Sequence, residues 1–178
     1  MNATVRSPRA VTREHRSELF REATVMVLYV AVVEIAELAA LPEGHYSDGR
    51  VTGPAGSTML AIVWGTAVGL ALAHWFAFQL AAPAFRGDRP TRVDWQIGSA
   101  QLAGAAFVAV LSSLPVLFFS DLRAQEFIGD VPAALIGAVG YLVARRAGFA
   151  VLPAVFFAIT AIALGILVAL VKTKIAAH

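Results

Sequence analysis

Cysteine is absent from the 178 residues, which removes disulfides, thiolate metal sites and thiol nucleophiles together. Methionine occurs only three times, too few for a soft-metal (copper) path. Charge is also scarce: 15% of residues are Asp, Glu, Lys or Arg, against about 25% in soluble domains. The motifs of common enzymes are missing too, with no GxSxG, no HExxH, no P-loop and no DxD-like acidic cluster. No enzymatic activity and no cofactor is therefore expected. A membrane-embedded enzyme is a minor alternative, with Glu34, Glu37 and His74 as its only catalytic set. Nucleic acid is not an expected partner, because the N-terminal arginines alternate with glutamates and no binding motif is present.

What is abundant is apolar sequence, 58% of the chain. Five hydrophobic segments stand out: 23–41, 57–82, 97–120, 127–144 and 149–171. Runs of about 20 apolar residues cross a hydrocarbon core. The fold class expected is an all-α polytopic membrane bundle of five transmembrane helices over 23–171, with a short tail at 172–178. The second segment is expected to end before Pro83. The fourth is the shortest: Val131–Ala144 rises only about 21 Å, and extension back to Phe127 puts Asp130 in its first turn, where a carboxylate suits the helix dipole. A re-entrant segment is the alternative there.

Charge in the connections gives the orientation. With the N-terminus inside, the inner side holds ten basic residues: Arg6, Arg9, Arg13, Arg16, Arg21, Arg86, Arg89, Arg92, Arg145 and Arg146. The outer side holds four: Arg50, Arg123, Lys172 and Lys174. The excess of Lys and Arg in cytoplasmic loops favours N-in/C-out and a cell inner (plasma) membrane location. Residues 1–22 carry five arginines and no apolar core, so they do not read as a cleavable signal peptide. They read as a basic amphipathic arm, helical over 12–22, drawn to anionic lipid and running into the first span. Attachment to a protein partner is the alternative.

Rows of small residues recur at four-residue spacing: Gly65, Gly69 and Ala73; Ala100 and Gly104; Ala133 and Gly137; Ala161 and Gly165. Such rows let helix backbones approach closely in lipid, either inside one bundle or between copies in a homo-oligomer.

The residues most able to carry chemistry are two acids inside the first run. Glu34 and Glu37 are three apart, hence on one helix face. A charge at such depth costs about 2.5–3.5 kcal/mol on insertion scales, and two close carboxylates cannot both ionise cheaply in low dielectric. His74, Gln79 and Gln101 lie deeper toward the inner side, so polar groups recur across the bilayer. The function expected is a small oligomeric channel or transporter for protons or cations, with Glu34, Glu37, His74, Gln101 and Gln79 as its path. The alternative is a non-conducting subunit or scaffold whose polar residues fix helix packing. Ser112, Ser113 and Thr160 are expected to bond back to their own helices. The first loop places His45 and Asp48 three apart, a weak divalent-ion site on a turn-rich connector. The acids Glu43, Asp48, Asp121, Glu126 and Asp130 could form an outer mouth that concentrates cations.

Overall fold

The computed structural model describes residues 8–42, 45–47, 50–86 and 91–176, with side chains at 15–42, 53–80, 91–171 and 174–175. Among the described residues the elements are helices and one short hairpin: α1 (Pro8–Leu38), β1 (His45–Ser47), β2 (Arg50–Thr52), α2 (Gly56–Arg86), α3 (Arg92–Phe118), α4 (Asp121–Ile128), α5 (Asp130–Arg146) and α6 (Val151–Ala176). β1 and β2 pair antiparallel, with Tyr46 opposite Val51. Among the described residues, four helical stretches are long and apolar enough to cross a membrane: Gly56–Leu80, Arg92–Phe118, Asp121–Arg146 and Val151–Val171. They suggest a membrane protein.

The first apolar run does not reach that standard by itself. Its helical part, residues 23–38, rises about 24 Å, short of the roughly 30 Å core. Immediately before it stand Arg21 and Glu22, with Glu34 and Glu37 further along. Residues 8–22 of the expected arm and 23–38 of the first segment form one helix, α1.

Proline chemistry explains two other departures from the expected boundaries. α2 continues through Pro83 to Arg86, because a proline near a helix end removes only one late backbone bond. The fourth segment is longer than 127–144: α4 and α5 together run from Asp121 to Arg146. The expected connection at 121–126 is thus helical, and Asp121 and Asp130 lie in the first turns of α4 and α5. Pro132 has no N–H to offer the Ile128 carbonyl, and this interrupts the helix at Gly129.

The remaining ends follow local rules. Thr91 caps α3 in a reciprocal box with Asp94: each side chain accepts from the other residue's backbone N–H. α5 stops at a Schellman turn, where Gly148 N–H donates to Arg145 O at 3.1 Å and Phe149 N–H to Ala144 O at 3.1 Å. Gly148 has φ +88°, a left-handed value that favours glycine.

α1 is the central helix, packed by α2, α3, α5 and α6. Met26, Val30 and Ala31 of α1, Met59, Val63, Ala67 and Ala71 of α2, and Ala105, Val108 and Ala109 of α3 form the buried core. α2 and α6 lie at the periphery and turn large apolar side chains outward, including Phe76, Leu80, Leu152, Phe156 and Leu167. Such outward faces suit a hydrocarbon surrounding.

Small residues make the close approaches at only some of the expected rows. A methyl group on Gly104 would sit 2.6 Å from the Ala23 carbonyl oxygen, and one on Gly137 2.6 Å from Ile162 Cδ1. Gly165 similarly faces Ile136. By contrast, Gly65, Gly69 and Ala73 are exposed, and nothing described lies within 4 Å of a Cβ placed on either glycine. Their row faces away from the bundle, so the α2–α3 approach falls to Gly98 instead, which sits against the Trp75 indole.

Candidate functional site

Polar contacts along α1 set its register against both neighbours. Thr66 of α2 donates to Glu37, while Tyr29 and His74 rings lie 6.4 Å apart, centroid to centroid. Later residues of α1 therefore meet earlier residues of α2, and the two helices run antiparallel. Gln101 of α3 donates to Glu22 at 3.1 Å, and Ser112 Oγ donates to Glu34 Oε2 at 2.7 Å. Those pairs make α1 and α3 parallel.

The register assembles a polar cluster where the three helices meet, toward the end of α1. Glu34 is 0% exposed and Ser112 is also 0% exposed. Glu34 Oε1 has no hydrogen-bond partner among the described residues. One turn on, half-buried Glu37 accepts from Thr66. Ser113 extends the cluster: its hydroxyl donates to the Ala109 carbonyl at 2.7 Å and accepts from Trp64 Nε1 at 3.0 Å. The cost of carrying acids in an apolar run is reduced by this placement, because the face holding Glu34 points into protein and each glutamate meets a hydroxyl donor.

A second group lies toward the start of α1. Glu22, Met26, Tyr29, His74 and Gln101 line a cavity of about 200 Å³. Gln101 donates from its amide nitrogen to Glu22, while its buried Oε1 has no partner among the described residues. His74 is exposed and faces Tyr29 of α1. Gln79 Nε2 is buried and without a described partner. The expected path residues are thus divided: Glu34 and Glu37 lie together in the cluster near the end of α1, His74 and Gln101 in the cavity near its start, and Gln79 lines neither. Between the two groups stand Val30, Ala31, Ala71, Val108 and Ala109, all buried and apolar.

Thr66 and Trp64 enter the site without a sequence motif. Thr66 sits between residues of a small-residue row, and only the antiparallel register brings it to Glu37. Thr160 bonds back to Phe156 O at 2.9 Å, as expected. No group of three or more His, Asp or Glu side chains that could hold a metal occurs among the described residues. Of the two loop residues considered for a divalent ion, Asp48 lies outside the described residues, and His45 is described in its backbone alone; Glu43 of the acidic mouth is also outside them.

Comparison with protein-family models, curated proteins and solved structures finds no match to this chain.

Proposed function

We propose that the chain is a five-span protein of the inner (plasma) membrane, N-in and C-out, that carries protons or small cations through a binding site at Glu34 and Glu37. One observation carries the reading: a fully buried carboxyl, Glu34, has one oxygen bonded to Ser112 and the other without a described partner. A buried acid with an open acceptor favours a proton or a cation as its complement. The apolar layer of Val30, Ala71 and Val108 inward of the site supports an occluded carrier over a continuously open pore. Movement past that layer would bring the ion or proton to His74, Gln101 and Gln79.

Two features support the orientation. The His15–Gln96 contact at 2.8 Å and the stacking of Arg146 over Phe20 at 4.1 Å draw Arg16, Arg21, Arg92, Arg145 and Arg146 to one end of the bundle. Clustering of arginine at one end is the pattern of a cytoplasmic face.

The test is flux in proteoliposomes, read as collapse of an imposed proton or cation gradient. Wild-type protein should dissipate it, and Glu34→Gln and Glu37→Gln should each lower the rate by about tenfold or more, the effect expected of losing about 1.4 kcal/mol or more at the site. Flux that survives both substitutions removes the site assignment.

A second reading, a non-conducting membrane subunit, is favoured by the hydroxyl contacts themselves: Ser112 and Thr66 tie α1 to α3 and α2. It predicts no wild-type flux, with the same substitutions altering assembly or thermal stability.

A further inference from the structure

Away from the carboxylates, α1 and α5 enclose a groove of about 680 Å³ on the outer surface of the bundle, within the usual range for a small-ligand site. Its walls share one polarity. On α1, Arg16 and Arg21 stand at one end, and Val25 and Leu28 follow further along the same helix. α5 runs the other way and matches them, with Arg146 beside Phe20 and Val143 one turn toward the apolar end. From Phe20 to Leu28 the apolar part extends about 12 Å along the helix axis.

We propose that this groove binds one anionic phospholipid, with its phosphate at Arg16, Arg21 and Arg146 and an acyl chain along Phe20, Val25 and Leu28. The argument is charge and shape together. Three guanidinium groups gather at one end, and guanidinium forks suit phosphate oxygens. Arg146 uses the face of its guanidinium on the Phe20 ring, which leaves its in-plane N–H groups for an anion. Arg21 holds Glu22 through one nitrogen at 3.0 Å, and Arg16 is exposed. The apolar end is open as well: Phe20, Val25 and Val143 are each 43–51% exposed. The slot runs along the helix axes, the direction in which acyl chains lie beside helices that cross a bilayer. Basic pockets at the cytoplasmic ends of helices hold anionic headgroups by this chemistry.

The proposal rests on the membrane reading and not on the ion-carrying one. Its test is native mass spectrometry of the full chain in non-ionic detergent, with dioleoyl phosphatidylglycerol and dioleoyl phosphatidylcholine added in equal amounts. One phosphatidylglycerol should be retained about thirtyfold more strongly than phosphatidylcholine, as expected from about two cation contacts. The double variant Arg16→Gln/Arg146→Gln should lose that preference, and Arg123→Gln on α4 should keep it. Should the double variant not fold, Arg16→Gln alone, at an exposed position, should lower the preference severalfold. Equal retention of the two lipids by the wild type, or a preference unchanged in the arginine variants, overturns the proposal. So does equal binding of water-soluble glycerophosphoglycerol, which lacks the acyl chains. Extraction of the chain from cell membranes by alkaline carbonate, measured before any lipid is added, would instead overturn the membrane reading and this proposal with it.

Discussion

Glu34 shows how a single side chain can be both a structural and a chemical problem. It is 0% exposed, and the Ser112 hydroxyl is its one described donor, at 2.7 Å. Removing that hydroxyl leaves both carboxyl oxygens without a described partner. Ser112→Ala should therefore destabilise the fold by about 1–3 kcal/mol, the usual cost of an unsatisfied buried polar group, seen as a lower Tm in detergent. Glu34→Gln retains an acceptor for Ser112 and should remain folded, which lets flux and stability be read separately. The two acids were legible in the sequence because charge inside an apolar run is conspicuous. Their partners were not. Ser113 and Thr160 do bond back to their own helices, as hydroxyls in helices commonly do, and nothing local distinguishes Ser112 from Ser113. Which serine turns to α1 depends on how two helices are rotated, a property of the packed bundle.

At the scale of elements, length and end chemistry were readable, and facing was not. Apolar runs placed α2, α3 and α6 to within a few residues, while the fourth segment was underestimated because α4 holds Asp121, Arg123 and Glu126 in a helix with polar composition. Small-residue spacing marked several rows as contact faces. The structure separates them by what stands opposite, since a methyl on Gly104 would press on the Ala23 backbone while Gly65 and Gly69 meet nothing described. A backbone oxygen cannot rotate aside as a side chain can. Gly104→Ala should thus force α1 and α3 apart and cost about 1–3 kcal/mol, the range for overpacking, with Gly129→Ala as a control because its site is open. The measurement is thermal unfolding of the two variants side by side. Gly69→Leu is expected to behave differently. The exposed Gly65–Gly69–Ala73 row suits an approach between copies of the chain; if copies associate through it, the substitution should leave the protomer's Tm nearly unchanged and weaken self-association in analytical ultracentrifugation.

For the whole molecule, the arrangement turns on the central position of α1. The helix least able to face hydrocarbon, with four charged residues between Arg21 and Glu37, is the one surrounded by α2, α3, α5 and α6. The more apolar helices take the periphery, which is the distribution a bilayer favours. If α1 crosses with the other four, the chain has an odd number of spans and its ends lie on opposite sides. If α1 stays on one surface, the ends share a side. The absence of cysteine makes this directly measurable, because any introduced thiol is the only one in the protein. Arg123→Cys, in α4, and Ala147→Cys, in the turn after α5, bracket one stretch long and apolar enough to cross. With a maleimide that does not permeate cells, Arg123→Cys should label in intact cells and Ala147→Cys only after permeabilisation. His178→Cys then tests whether α6 crosses, and an N-terminal tag decides the count. In the proposed orientation the turn after α5 is inside, so a crossing α6 should put the tail outside, where it labels in intact cells. An N-terminal tag must be protected in the same cells if α1 crosses. A tag accessible from outside would leave four spans and overturn the five-span reading on which the ion path through Glu34 and Glu37 rests.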